Sequence, residues 1–292
     1  GSDIVSLGMD ASQYIKTKYG YSSYVGRVLQ YIIPSTPKIS VIVTNHNYKS
    51  YLKQRLDSIM FQTNPVRELI FVDDASTDGS YEFVQSYFQN TTTNIKIIKH
   101  DERIGNVFLN WLKGVENSEG DYVWIAEADD SAEPQFLEES VSKMINNQEV
   151  VMTYTQSKQM DVDSTIINMD YQYYIKDIGN ERWDNDYTRT GMDEIQSGLS
   201  VKNVIPNVSG VLFRRDVLLK VLQDLKDDLV SFEVAGDWFI YVNILRHGDI
   251  SFIKKSLNIH RRHSKGKTLS NLSNNILKEI KRMQDYVKKE FG

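Results

Sequence analysis

The sequence contains no cysteine and little proline, and it has no long apolar run. Its 292 residues include 5 prolines. The absence of cysteine excludes disulfides, thiolate metal sites and a cysteine nucleophile, and it fits a reducing compartment. No apolar stretch approaches the roughly 20 residues that a membrane-spanning helix needs. With 40% hydrophobic and 25% charged residues, the composition is typical of a globular protein with an ordinary core.

Several binding motifs are missing as well. After the first predicted strand, Thr44-Asn45-His46-Asn47-Tyr48 stands in place of the glycine-rich turn of a dinucleotide site. Gly266-Lys267-Thr268 resembles the end of a P-loop, but Arg261 occupies the position of a required earlier glycine. His260 and His263 lack the partners of a zinc site. The net charge of −5 argues against non-specific nucleic-acid binding, so no nucleic-acid partner is expected.

Apolar runs and amphipathic stretches alternate from Lys38 onward, which predicts an α/β fold with a mainly parallel sheet flanked by helices. Predicted strands cover 39–43, 69–72, 95–98, 122–126 and 150–154, and predicted helices cover 52–60, 81–88, 107–115 and 136–145. Further strands are predicted at 208–213, 250–253 and 257–260, and further helices at 217–225, 236–247 and 276–291. Residues 156–200 are polar and predict long loops with a hairpin.

Two acidic clusters follow two of the predicted strands. They are Asp73-Asp74-Ala75-Ser76-Thr77-Asp78 and Glu127-Ala128-Asp129-Asp130. The carboxyl ends of strands in an open α/β sheet border the crevice where such folds bind ligands. Carboxylates gathered there repel one another unless a cation or hydrogen-bond donors lie between them. Each cluster alone would equally suit a helix cap or a turn. Both together favour a metal-assisted site for a phosphorylated ligand.

These segments resemble a known family. Ile39 to Asn47, Val72 to Ser80, Arg103 to Asn106 and Gly120 to Asp130 are similar, in order and spacing, to family 2 glycosyltransferases with the GT-A fold. The resemblance covers about residues 38–265. It implies a Rossmann-like sheet and an enzyme that moves a sugar, with inversion, from a UDP or dTDP donor to a glycan hydroxyl. The implied cofactor is Mg²⁺ or Mn²⁺.

The resemblance also implies donor-binding residues. These would be Thr44, Asn47, Asp73, Asp74, Arg103, Glu127 and Asp129. Asp74 would read the pyrimidine edge with Asp73 alongside, and Asp129 would bind the metal. Glu127 stands where the family has the first Asp of its Asp-x-Asp motif. Asp130 would cap the next helix or contact the sugar.

For the acceptor side, the resemblance implies that Asp237 is the catalytic base, although Gly236 replaces the Glu of the family's usual Glu-Asp pair. A helix N-terminus favours the ionised carboxylate, and a simple N-cap is the alternative role. The implied acceptor contacts are Asn207, Ser209, Gly210 and Trp238, with turn and packing roles as alternatives. The implied diphosphate lid contains His260, His263 and Lys265, with a solvated surface role as the alternative for each cation. His263 is also a predicted metal ligand.

The predicted organisation has three parts. A helical extension covers 1–37, a GT-A domain covers 38–265 with a division after 131, and a lid with an amphipathic helix covers 266–292. That helix would pack on the core or touch an anionic membrane, a sister domain or a second copy. Gly1-Ser2 resembles a cloning scar, so further domains of a longer chain are expected as partners.

The expected biological role is bacterial surface-polysaccharide synthesis, in the cytoplasm or at the inner face of the plasma membrane, with a glycan or lipid-linked glycan as acceptor. Two alternatives stay open. A sugar nucleotidyltransferase would need a loop rich in Gly and Lys or Arg at 44–48, where neither is present. A non-catalytic carbohydrate-binding domain is disfavoured because Asp74, Asp129 and Asp237 are present together.

Overall fold

A computed structural model describes residues 37–263, except 90, 92 and 180, together with residues 274–292. The predicted N-terminal extension up to residue 36, Lys265 and most of the predicted lid lie outside the described residues. Among the described residues, no helix combines the length and apolar character that crossing a bilayer requires.

The first half alternates strands and helices as predicted. Its strands are β1 (Ile39–Asn45), β2 (Glu68–Asp73), β3 (Asn94–Lys99), β4 (Tyr122–Ile125) and β5 (Ser131–Ala132). Its helices are α1 (Lys49–Met60), α2 (Ser80–Tyr87), α3 (Val107–Glu116) and α4 (Phe136–Asn146). Strands β1 and β2 are buried along their whole length, which explains their continuous apolar sequence.

The second half has longer strands and shorter helices. Its strands are β6 (Val150–Met160), β7 (Ile166–Asn168), β8 (Tyr187–Arg189), β9 (Val211–Arg214) and β10 (Asp249–Arg261). Its helices are α5 (Gly191–Glu194), which continues as a π-helical stretch (Ile195–Leu199), α6 (Arg215–Asp224), α7 (Lys226–Leu229), α8 (Gly236–Ile244) and α9 (Asn274–Phe291). Short 3₁₀ turns cover Gln172–Ile175 and Val208–Gly210.

All of these strands belong to one sheet. The order is β3-β2-β1-β4-β9-β6-β10-β5, with β7 paired to β6 and β8 to β10. Strands β1 to β4 are parallel to one another, and β9 runs antiparallel between β4 and β6. The predicted α/β fold class is confirmed, and the two predicted halves share a continuous sheet.

Two predicted details of the second half were wrong. The expected strands at 250–253 and 257–260 form one strand, β10, whose register shifts near Ile253 and Ser256. Such a bulge accommodates the exposed Lys254 and Lys255 without ending the strand. The strand expected from residue 208 begins at Val211, after a 3₁₀ turn.

Candidate functional site

The turns after β1 and β2 are joined by hydrogen bonds. Asn45 Nδ2 donates to Asp73 Oδ1 and to Ser76 Oγ, each at 2.9 Å. Asn47, whose φ is 59°, accepts from the Thr77 N–H at 2.8 Å. Asp73 is fully buried and also accepts from the Ser76 N–H at 3.0 Å. Asp73 and Asn47 therefore shape the turns, which argues against the donor contacts predicted for them.

Asp74 holds the loop that follows β3. Its two carboxylate oxygens accept from the N–H groups of Ile104 at 2.7 Å and Gly105 at 3.0 Å. Gly105 has a φ of 71°, a left-handed conformation that favours glycine. Asn106 then caps helix α3 through its side-chain oxygen. Asp74 thereby sets the position of the loop that carries Arg103.

A cleft of about 630 Å³ opens at the carboxyl ends of β1, β2 and β4. This volume is typical of small-molecule sites. Its lining includes Thr44, Tyr48, Asp74, Arg103, Phe108, Glu127, Asp129, Phe232, Glu233, His260, Arg262 and His263. The fold thus brings five of the predicted donor residues, Thr44, Asp74, Arg103, Glu127 and Asp129, to one cleft.

Three carboxylates converge at the end of β4. Oxygens of Glu127, Asp129 and Asp130 lie within 4.8 Å of one another. Burial raises the pKa of Glu127 well above its usual range, and the other two carboxylates raise it further. Asp130 is already engaged, because it accepts from the Arg261 N–H at 2.8 Å and from Asn207 Nδ2 at 2.9 Å. Asp130 therefore binds the backbone of β10. One predicted role, capping of helix α4, was wrong, because the side chain of Asp130 does not cap that helix.

The two predicted metal ligands are adjacent. His263 Nε2 lies 2.8 Å from Asp129 Oδ2. The ring of Tyr48 is 5.9 Å from that of His263, and burial, assisted by Asp129, raises the pKa of Tyr48 to about 12. His260 contacts a different residue. Its Nδ1 lies 2.6 Å from the Tyr171 hydroxyl, and burial lowers the pKa of His260. Of the two histidines, His263 is the one beside the carboxylates.

A buried cation that the sequence interpretation missed lies beneath the cluster. Arg55 of α1 is 0% exposed, and its Nε donates to the Glu127 carbonyl at 2.7 Å. Burial lowers its pKa to about 10, while the three nearby carboxylates oppose that shift. Arg55 offsets part of the negative charge of the cluster. The available signal was a charged residue on the apolar helix face formed by Leu52 and Leu56.

The segment 207–210 lies under the cluster. Ser209 is fully buried, and its Oγ accepts from the Glu127 N–H at 3.0 Å. Asn207 donates to Asp130, and a Cβ at Gly210 would meet Asn258 at 3.3 Å. These contacts argue against the acceptor roles predicted for the three residues and favour the alternative, a structural turn.

Asp237 is the second residue of helix α8, so it is not the N-cap, which is Ala235. Burial raises the pKa of Asp237 from 3.8 to about 7, although the Trp238 N–H at 2.6 Å and Asn203 Nδ2 at 3.1 Å donate to it. Burial therefore outweighs the helix terminus that was expected to keep it ionised. After burial, Asp130 and Asp129, its charge is a further cause of the raised pKa of Glu127.

The neighbours of Asp237 have packing roles. A Cβ at Gly236 would lie 2.3 Å from the ring of Phe108. The glycine that replaces the family's Glu thus permits the close approach of this ring. Trp238 is 2% exposed, and its Nε1 donates to the Leu199 carbonyl at 2.9 Å. This placement favours the packing alternative and argues against an acceptor contact.

Comparison with known proteins agrees with this architecture. Residues 40–221 match the sequence model of Glycosyl transferase family 2. An uncharacterized glycosyltransferase of Nostoc sp. is 27% identical over 84% of this chain and 70% of its own length. The putative teichuronic acid biosynthesis glycosyltransferase TuaG of Bacillus subtilis is 30% identical over 37% of this chain and 42% of its own length.

Solved structures show the same fold. Residues 1–349 of S. aureus TarS align with a TM-score of 0.58 at 18% identity, over 77% of this chain and 60% of that one. The TarS complex with UDP-GlcNAc aligns with a TM-score of 0.62 at 18% identity, over 87% of this chain and 67% of that one. The family match confirms the family predicted from the sequence, and the likeness to solved structures confirms the predicted GT-A fold.

Proposed function

Because the chain belongs to glycosyl transferase family 2, we propose that it is a metal-dependent, inverting glycosyltransferase that uses a UDP- or dTDP-sugar. The observation that carries the proposal is one cleft lined by Asp74 and Arg103 at one side and by Asp129 and His263 at the other. TarS has been solved with UDP and with UDP-GlcNAc, so a UDP-sugar is the first donor to test.

Asp129 and His263 would hold a divalent cation, with Glu127 as a further oxygen ligand. His263 Nε2 lies 2.8 Å from Asp129 Oδ2, and oxygens of Glu127 and Asp129 lie within 4.8 Å of each other, which supports this set. Hard carboxylate oxygens with one imidazole suit Mn²⁺ or Mg²⁺. Burial, and then the carboxylates of Asp130 and Asp129, raise the pKa of Glu127, and a cation between these groups would offset their repulsion. When bound, the cation would supply charge compensation for the diphosphate.

The protein's own side chains would carry the other tasks. Asp74 and Arg103 would orient the nucleoside at the ends of β2 and β3. Asp237 would accept the proton of the acceptor hydroxyl while that oxygen attacks the anomeric carbon from the face opposite the diphosphate. Asn203 would hold the carboxylate for this step, since it donates to Asp237 Oδ2.

The acceptor is proposed by likeness. TuaG, one of the relatives, is named for teichuronic acid biosynthesis. That name supports a growing surface glycan, free or lipid-linked, as the acceptor of this chain. The nucleotidyltransferase alternative is less well supported, because the family match covers residues 40–221 and 44–48 contain no glycine, lysine or arginine.

The decisive test is Asp237→Asn, which keeps the shape of the side chain and removes the proton acceptor. Nucleotide release from a panel of UDP- and dTDP-sugars should fall by about 10²–10⁴-fold. Binding of UDP with Mn²⁺, measured by calorimetry, should stay close to that of the wild-type protein. Asp227→Asn, at an exposed position of α7, serves as the matched control. An active Asp237→Asn protein would remove Asp237 from the proposal.

A further inference from the structure

The C-terminal helix α9 contacts a segment that forms one wall of the cleft. This wall segment, residues 230–235, contributes Val230, Phe232 and Glu233 to the lining and leads directly into helix α8. We propose that Glu279 of α9 is a positioning residue that holds the wall segment, and through it Asp237, in place for sugar transfer. The inference rests on the function proposed above.

Glu279 binds three consecutive backbone amides. Its Oε1 accepts from the Glu233 N–H at 2.8 Å, and its Oε2 accepts from the N–H groups of Val234 and Ala235, each at 2.9 Å. These three amides belong to the residues that lead into α8, whose N-cap is Ala235. They precede the first turn of the helix and receive a partner from outside it. A carboxylate from another helix therefore fixes the entry of the chain into α8.

A second residue of α9 holds the start of the wall segment. Arg282 Nη1 donates to Ser231 Oγ at 2.7 Å, and its guanidinium lies 4.1 Å from the centre of the Phe232 ring. Glu279 and Arg282 are three residues apart, so they lie on the same side of the helix. Together they hold the wall segment from Ser231 to Ala235.

Helix α9 is anchored independently of these contacts. Met283 is 0% exposed and Val287 2% exposed, and both belong to the main core. The Tyr286 hydroxyl donates to Asn243 Oδ1 of α8 at 2.9 Å. A substitution at Glu279 should therefore free the wall segment while leaving the helix docked.

The functional consequence follows from distance along the chain. Ala235, the last amide that Glu279 binds, is two residues before Asp237. Misplacing a catalytic group by about 1 Å can lower a rate about a hundredfold. The nucleoside side of the cleft depends on other elements, since Asp74 follows β2 and Arg103 follows β3. Loss of Glu279 should therefore lower kcat more than it weakens nucleotide binding.

The experiment compares Glu279→Ala, Glu279→Gln and Met283→Ala. Gln keeps one oxygen for the amides, whereas Met283→Ala weakens the packing of α9 and leaves the carboxylate in place. Hydrogen exchange, followed by mass spectrometry, reports the amides of 233–235. Turnover of the UDP- or dTDP-sugar that the wild-type protein cleaves, and calorimetry with UDP and Mn²⁺, report function.

In Glu279→Ala the amides of 233–235 should exchange at least about tenfold faster, because they lose their acceptor. Its kcat should fall about 10–100-fold, with the Kd for UDP within about threefold of the wild-type value, since α9 does not carry the nucleoside contacts. For both amide exchange and kcat, Glu279→Gln should lie between the wild-type protein and Glu279→Ala. Met283→Ala should lower the Tm and keep kcat near the wild-type value.

Three results would overturn the positioning role: unchanged exchange in Glu279→Ala, faster exchange with a wild-type kcat, or an equal loss of kcat in folded Met283→Ala. The proposed function fails by a different signature. In that case the wild-type protein releases no nucleotide from any donor of the panel, or Asp237→Asn stays active. The positioning role in sugar transfer then falls with it, and the exchange data still decide whether Glu279 holds the wall segment.

Discussion

The proposed donor side, at the end of β4, and the proposed acceptor side, around Asp237, are built in different ways. On the donor side, Glu127 and Asp129 directly follow strand β4, so the sheet itself places them. On the acceptor side, Asp237 lies at the start of a helix and depends on Asn203 and on the segment that Glu279 holds. A strand end positions a side chain through its own backbone, whereas this helix start requires partners that are distant in the sequence.

The two sides also differ in charge. Glu127 lies among carboxylates, with the buried Arg55 beneath them, and its pKa is raised by burial and by like charge together. The pKa of Asp237 is raised mainly by burial, since its hydrogen-bond partners are neutral donors that lower it. The donor side therefore suits a cation, and the acceptor side suits a carboxylate that exchanges a proton near neutral pH.

The largest expected effect comes from a substitution on the donor side that removes a proposed metal ligand. Asp129→Ala should lower turnover by about a hundredfold or more, because a cation at a departing diphosphate contributes several kcal/mol. It should also remove most of the Mn²⁺ dependence of UDP binding, which calorimetry with and without Mn²⁺ measures. Asp163→Ala, at an exposed position before β7, is the control. Equal Mn²⁺ dependence in both variants would contradict the assignment.

The acceptor side should respond to pH. With a pKa of about 7 for Asp237, turnover should fall about tenfold for each pH unit below 7 and level off above about pH 8. At high donor concentration, Asp237→Asn should keep a residual rate that does not fall in this way below pH 7. A wild-type rate that stays flat between about pH 5 and pH 8 would exclude Asp237 as the base.

The same carboxyl should make stability depend on pH. The folded protein binds this proton more tightly than the unfolded chain, because burial raises the pKa of Asp237. The stabilisation is therefore full below about pH 4 and is lost as the pH rises through about 7. The difference in Tm between Asp237→Asn and the wild-type protein should therefore shift in favour of Asp237→Asn when the pH is raised from 5 to 8. A constant difference in Tm would contradict the raised pKa.

The smallest expected effect concerns the glycine before the base. Gly236→Ala should reduce the free energy of unfolding by about 1–3 kcal/mol through overpacking against Phe108. Phe108→Leu in the same chain should recover part of this loss, although Phe108→Leu alone leaves a cavity. Denaturant unfolding of the single and double variants measures the coupling. If the losses in free energy of unfolding of the two single variants simply add in the double variant, the Phe108 ring does not require glycine at position 236.

Most strands and helices of the first half of the fold were predictable from the sequence, and fewer of the second half were. Buried parallel strands such as β1 and β2 are continuous apolar runs, which are visible without a structure. The polar stretch 156–200 contains strands β7 and β8 and helix α5, built around a buried ion pair of Arg182 and Glu194 at 2.6 Å. No local pattern indicates that pair, because its partners are separated by loop and strand.

Within the site, neighbouring residues proved to have different roles. Asp73 and Asp74 are adjacent, yet Asp73 is enclosed in the turns while Asp74 lines the cleft. Ser209 and Trp238 match family positions, yet both are buried and bound to backbone groups. Motif matching placed these residues near the site, and burial then separated those that face the cleft from those that support it.

The amino-acid sequence alone identifies the family, the alternation of strands and helices, and the acids at the carboxyl ends of β2 and β4. These depend on local periodicity and on residue types at fixed spacing. The folded structure is needed to see that Arg55 lies beneath the acids, that Asn203 donates to Asp237, and that Glu279 binds the amides that lead into helix α8. Such contacts join residues far apart in the chain, and burial, which sets their strength and the pKa of Asp237, exists only after folding.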